Sequence, residues 1–224
     1  MNFMEKHDID RIINKNFIII GDSIIYGIGD FQNGGWPEMF KNYVVNKDDS
    51  KVCTNYVHIA GFPGATSTDI LNKIDSIIKS FRHDDFDNVI ILSIGVNDTQ
   101  EFNGKEKNSI EKYKENMVNI AKHIINRNCN LIVLGLTRIE CDKKFLWKPN
   151  KYYDNSIISE YDRDLELILN YDTELKKLCQ ERRINYIPMK DVLRKEDFID
   201  GLHPTTEGHR KMCDYIIDEI IKVI

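Results

Sequence analysis

The stretch DNVIILSIG, residues 87–95, constrains this chain most. It is of strand length, apolar nearly throughout, and lacks the alternation of a strand with one wet face. Such a strand is covered on both sides, as in a parallel sheet flanked by helices. Four other apolar runs punctuate the chain: NFIII (16–20), KVCTNYVHIA (51–60), NLIVLGL (130–136) and INYIPM (184–189). Between them, apolar residues recur at helical spacing. Trp36, Met39, Phe40, Tyr43 and Val44 form one set; Ile70, Leu71, Ile74, Ile77, Ile78 and Phe81 form another, with Thr66 or Ser67 as its cap. Ile110, Tyr113, Met117, Ile120, Ala121 and Ile124 predict a third helix. Leu165, Ile168, Leu175 and Leu178 predict a fourth, and Met212, Cys213, Ile216, Ile217 and Ile220 a last one. This βαβα alternation predicts an α/β fold with a mainly parallel five-stranded sheet between helices. No repeat or linker divides the chain, so residues 1–224 read as a single domain.

A net charge of −5 argues against non-specific attraction to nucleic acid or anionic lipid. The first sixteen residues contain acids and no long apolar core, so they do not read as a secretory signal. No apolar run approaches the ~18 residues of a membrane span. The five cysteines (53, 129, 141, 179 and 213) form no C-x-x-C pair, which argues against a metal knuckle or redox dithiol. Cys53, Cys129, Cys179 and Cys213 read as small buried thiols. A reduced, cytoplasmic protein without cofactor or metal is the expectation.

Ligands of open parallel sheets bind beyond the carboxyl ends of the strands. The residues there are GDS (21–23), GFPGATS (61–67), GVNDT (95–99) and, before the last helix, DGLHP (200–204). A serine hydroxyl becomes a nucleophile when a neutral imidazole takes its proton. A carboxylate then fixes the imidazole tautomer and stabilises the imidazolium. Ser23, His203 and Asp200 are the candidates, the last two close enough in sequence for one turn to present both. The oxyanion formed by acyl attack needs preorganised donors. The backbone N–H groups of Ser23 and Gly64 and the side-chain amide of Asn97 have the right type. Asp22 and Asp98 read as turn carboxylates that hold their loops. His58, His83, His123 and His209 lack the D-G-x-H-P context and read as structural or surface residues.

These four blocks, in this order and spacing, resemble those of the SGNH hydrolase superfamily, the GDSL-type esterases and lipases. The resemblance spans nearly the whole chain. It implies a flavodoxin-like three-layer α/β/α fold and ester hydrolysis through Ser23, His203 and Asp200, with Ser23, Gly64 and Asn97 around the oxyanion. Ile24 stands where the commonest first block has leucine. The second block reads IAGFPG, with Ala60 in the region where Asn is common, so Gly61 remains a rival to Gly64.

The expected substrate is a small-molecule ester with a small, acetyl-like acyl group. The alternatives are a lysophospholipase or thioesterase of the same superfamily, or a non-catalytic binding protein on this fold. A flavodoxin-like nucleotide binder is disfavoured, because neither G-x-G-x-x-G nor G-x-x-x-x-G-K-[ST] follows a first strand. The segment 138–158, with Phe145, Trp147, Tyr152 and Tyr153, is a long irregular loop and a candidate lid. Oligomeric state is not legible in the sequence.

Overall fold

The computed structural model describes residues 14–46, 55–102, 105–140, 145–146, 160–161 and 164–224. The apolar runs form strands β1 (Lys15–Gly21), β2 (Tyr56–Gly61), β3 (Asp87–Ser93), β4 (Asn130–Leu134) and β5 (Asn185–Ile187). They pair in the order β2-β1-β3-β4-β5, every pair parallel. Pairing ends before the apolar pattern does. β3 stops at Ser93 and β4 at Leu134, yet Ile94 and Leu136 stay buried as each chain leaves the ladder.

Six α-helices occur among the described residues: α1 (Ser23–Tyr26), α2 (Trp36–Asn46), α3 (Ser67–Phe81), α4 (Ile110–Ile125), α5 (Leu165–Arg182) and α6 (Thr206–Val223). At the start of α3 Thr66 is the cap. Its hydroxyl accepts from the Asp69 N–H while the Asp69 carboxylate accepts from the Thr66 N–H, a reciprocal capping box. Ser67 is left free for another task, described below.

Successive side chains along a strand point to opposite faces. Ile18, Ile20, Ile90, Leu92, Leu131 and Val133 therefore pack with Ile70 and Ile74 of α3, Tyr113 and Ile120 of α4, and Leu175 of α5. Their neighbours Phe17, Ile19, Val89, Ile91, Ile132 and Leu134 pack with Trp36 and Phe40 of α2 and Met212 and Ile216 of α6. The result is a three-layer α/β/α sandwich. Each fully buried isoleucine contributes about 1.5–3 kcal/mol of hydrophobic stabilisation, which is why a run such as VIIL at 89–92 tolerates no polar face.

Strand order reverses at the β1/β3 boundary. The chain leaves β1 toward β2 on one side and returns to β3 on the other, so the connections part at the carboxyl ends, the place where ligands of open α/β sheets bind. Ser23 lies just beyond β1, and Asn97 follows β3.

Two short antiparallel ladders had no signal in the sequence pattern, because two-residue strands carry no period. They pair Glu101–Phe102 with Lys105–Glu106, and Phe145–Leu146 with Glu160–Tyr161. Part of the 138–158 segment is thus paired rather than irregular. Most of that segment, including Trp147, Tyr152 and Tyr153, lies outside the described residues, as do Cys53, Cys141 and residues 51–54. Cys129, Cys179 and Cys213 are buried free thiols. Among the described residues no helix is long and apolar enough to cross a membrane.

Candidate active site

The strand-to-loop exit after β1 folds at once into α1. Asp22 is its N-cap: its side chain accepts from the Ile24 N–H at 2.9 Å. That bond fixes the turn so that Ser23 opens the helix. Helix α1 was not legible in the sequence, since four residues cannot show a helical period.

The segment 200–203 forms a second tight turn. One Asp200 oxygen accepts the backbone N–H groups of Leu202 (3.0 Å) and His203 (2.7 Å). The other stands 2.7 Å from His203 Nδ1. An ionised carboxylate only accepts, so Nδ1 carries the proton and Nε2 presents its lone pair. Nε2 lies 3.0 Å from Ser23 Oγ, across 180 residues of sequence. Ser23, His203 and Asp200 therefore form one continuous hydrogen-bonded series. Burial works to raise the Asp200 pKa, but the hydrogen bonds from His203 outweigh it and hold the carboxyl below its ordinary value. Asp200 is ionised at neutral pH, as the tautomer argument requires.

Asn97 is buried in a turn closed by Asp98 N–H donating to Gly95 O (3.0 Å) and Thr99 Oγ1 donating to Val96 O (2.8 Å). Its Nδ2 donates to Ala65 O at 3.0 Å and reaches Asp22 Oδ2 at 3.4 Å. Asn97 thereby spans the loops after β1 and β2. The two candidate glycines differ sharply. Gly61 ends β2 opposite Gly21, and a Cβ there would stand 2.4 Å from Tyr26 N, so it serves the close approach of α1 to the sheet. Gly64 has φ +77° and meets nothing within 4 Å of its missing Cβ. It faces open space in a left-handed conformation that other residues rarely adopt.

Asp98 holds its loop, as expected, but through partners well outside it. Its carboxylate reaches 31 residues back to Ser67, accepting the hydroxyl at 2.5 Å and the backbone N–H at 2.9 Å, and also accepts from Asn108 Nδ2 at 2.7 Å. His58 stacks on Phe81 and His123 pairs with Asp75 at the surface. His209 is fully buried.

A serine, an imidazole and a carboxylate in hydrogen-bonded series serve acyl transfer on unrelated folds; in this chain such a series stands at the carboxyl edge of a parallel α/β sheet. The chain belongs to the GDSL-like Lipase/Acylhydrolase family, whose sequence profile matches residues 19–211. It is an ester hydrolase of that family. No curated protein matches the chain. Solved structures share its fold. A variant of Axe2, an acetyl xylan esterase from Geobacillus stearothermophilus, has a TM-score of 0.69 at 16% identity, covering 93% of this chain and 96% of that one. The psychrotrophic esterase EstA from Pseudoalteromonas sp., inhibited by monoethylphosphonate, gives 0.64 at 18%, covering 92% and 97%. A member of the lipolytic G-D-S-L family from Veillonella parvula gives 0.65 at 18%, covering 91% and 97%.

Proposed function

We propose that this enzyme is a serine esterase in which Ser23 attacks the ester carbonyl. His203 Nε2 takes the Ser23 proton as the Oγ–carbon bond forms. Asp200 keeps the opposite nitrogen protonated and stabilises the imidazolium. The carbonyl oxygen becomes an oxyanion held by the Ser23 and Gly64 backbone N–H groups and by Asn97 Nδ2. Asn97 Nδ2 is the uncharged side-chain donor of the three, held at present by Ala65 O at 3.0 Å and by a longer 3.4 Å contact to Asp22. His203 then protonates the leaving alkoxide as the carbon–oxygen bond breaks. Water, deprotonated by the same imidazole, releases the acyl group and restores Ser23.

The observation that carries this reading is the unbroken Ser23–His203–Asp200 series, with distances of 3.0 and 2.7 Å. The acyl group we assign is small and acetyl-like, on a soluble alcohol. The acetyl xylan esterase activity in the name of a similar structure supports this by analogy of fold. The test is turnover of p-nitrophenyl esters from acetyl to palmitoyl by the wild type and by Ser23→Ala. Turnover by the wild type, highest for acetyl and abolished by the substitution, is expected. Equal rates in the two proteins overturn the mechanism. A maximum at long chains overturns the small-acyl assignment and favours a lysophospholipase or thioesterase.

A further inference from the structure

The internal bonds of the 200–203 turn fix His203 relative to Asp200. They do not fix His203 relative to Ser23, which comes from the opposite end of the chain. The glycine-rich loop 27–35 and the start of α6 supply that link. Ile28 N–H donates to Ser23 O at 3.0 Å, and the Ile28 carbonyl accepts from His209 Nε2 at 3.1 Å. The Ile28 backbone, through its N–H and its C=O, thus joins the residue bearing the nucleophile to α6, six residues beyond His203. Nδ1 of the same imidazole accepts the Trp36 N–H at 3.2 Å, where the loop ends and α2 begins. His209 therefore grips both ends of the loop as one defined neutral tautomer.

Asp30 grips the middle. One of its oxygens accepts the N–H groups of Gln32 (2.9 Å) and Asn33 (3.1 Å) and the Thr206 hydroxyl (2.8 Å). The other accepts the Gly35 N–H at 3.0 Å. Burial works to raise the Asp30 pKa, but these four donors outweigh it and hold the carboxyl down to about 2. The loop passes so close to the base that a Cβ at Gly29 would stand 2.1 Å from Pro204 O and 3.4 Å from His203 Cβ.

We propose that Asp30 and His209 are positioning residues that fasten the 27–36 loop, rooted at Ser23, to the 203–209 segment, and so set the Ser23–His203 separation. This rests on Ser23 and His203 being the reacting pair. Neither residue touches the reacting atoms. Their effect reaches the reaction through Thr206, Ile28 and the backbone around Pro204.

The test compares Thr206→Val, which keeps shape and loses the donor, with Thr206→Ser, which restores it. Asp30→Asn and His209→Phe are tested beside them. Ile216→Val, a core truncation on the same helix, serves as the comparator that lowers Tm without touching the loop. Each protein is assayed, at a temperature where it is folded, for p-nitrophenyl acetate turnover and for the rate at which a fluorophosphonate labels Ser23. Misplacement of a reacting group by about 1 Å can cost ~100-fold in rate. The expected result is a kcat lower by about ten- to a hundredfold in Thr206→Val, Asp30→Asn and His209→Phe, with KM within about threefold. Labelling slows in parallel, and Thr206→Ser returns to within about twofold of the wild type. If these variants lose Tm but match Ile216→Val in kcat and labelling rate, the positioning role is overturned while the esterase reading stands. A wild type that neither turns over the ester nor takes the label overturns both.

Discussion

Two serines stand at the carboxyl edge of the sheet, each tied to an aspartate, and they differ in what lies between. Ser23 reaches Asp200 through an imidazole, Ser67 reaches Asp98 directly. The Ser67 hydroxyl donates to the carboxylate and also accepts from Asn116 Nδ2 at 2.9 Å, and the residue is fully buried. These bonds join the start of α3 to the loop after β3 and to α4. A carboxylate is too weak a base at neutral pH to take a serine proton, whereas an imidazole titrates in the useful range. The surroundings of the acids also diverge. Hydrogen bonds hold Asp200 below its ordinary pKa, while burial pushes Asp98 above its own despite the Ser67 and Asn108 bonds. In the mechanism we propose, the first constellation moves a proton, while the second joins two loops, although each pairs a serine with an aspartate.

The sharpest way to break this contrast is to delete both hydroxyls. Ser23→Ala is expected to lower kcat by up to about 10⁶-fold and abolish fluorophosphonate labelling. Ser67→Ala retains the label on Ser23 and instead costs about 1–3 kcal/mol of stability, because the buried carboxylate loses a donor. Label on Ser67 or turnover surviving in Ser23→Ala reverses the assignment of the two serines.

Exchanging the acids for amides comes next. Asp200→Asn removes the acceptor that fixes the His203 tautomer and lowers kcat by about 10⁴-fold with a small change in Tm. Asp98→Asn sets an amide N–H against the Ser67 N–H or hydroxyl and costs about 1–3 kcal/mol in denaturant unfolding. A large loss of kcat without loss of stability in Asp98→Asn counts against its structural role.

The smallest effect is the pH dependence, and its sign separates the pair. The Asp200 pKa is lowered on folding, so its contribution is present above the unfolded value of about 3.9 and is lost as pH falls through the folded one. The Asp98 pKa is raised, so its contribution is full below that unfolded value and declines as pH rises through the folded one. In Tm measured from pH 6 to pH 3, the gap between wild type and Asp200→Asn should narrow with acid, and the gap to Asp98→Asn should widen. Equal trends contradict the different surroundings of the two groups.

The strands and major helices were legible because burial on two sheet faces leaves long apolar runs, and burial on one helix face leaves a 3.6-residue period. Helix α1, the paired termini of the 145–161 segment and the ends of β3 and β4 were not, since pairing and side-chain burial stop at different residues. Of the candidate site, residue type and place at strand ends singled out Ser23, Asn97, Asp200 and His203, and the structure brings three of them, Ser23, His203 and Asp200, into one hydrogen-bonded series. The sequence favoured Gly64 over Gly61, by its place two residues before Thr66, without excluding Gly61, because close packing against α1 and a left-handed turn both call for glycine. Asp30 was passed over, and His209 was read as structural or surface with no partner named. An acid set among glycines in GIGDFQNGGW was a signal for a loop-closing carboxylate, but nothing local marked His209 as its partner.

By itself the sequence determined which local structures this chain can form and which reactive groups it owns, since propensity, periodicity and side-chain chemistry are carried by neighbouring residues. Only the tertiary structure decided which groups meet. The 3.0 Å between Ser23 and His203 spans 180 residues. It depends on how the layers pack and how the loop at 27–36 is held to α6, a sum of long-range contacts that no local pattern encodes.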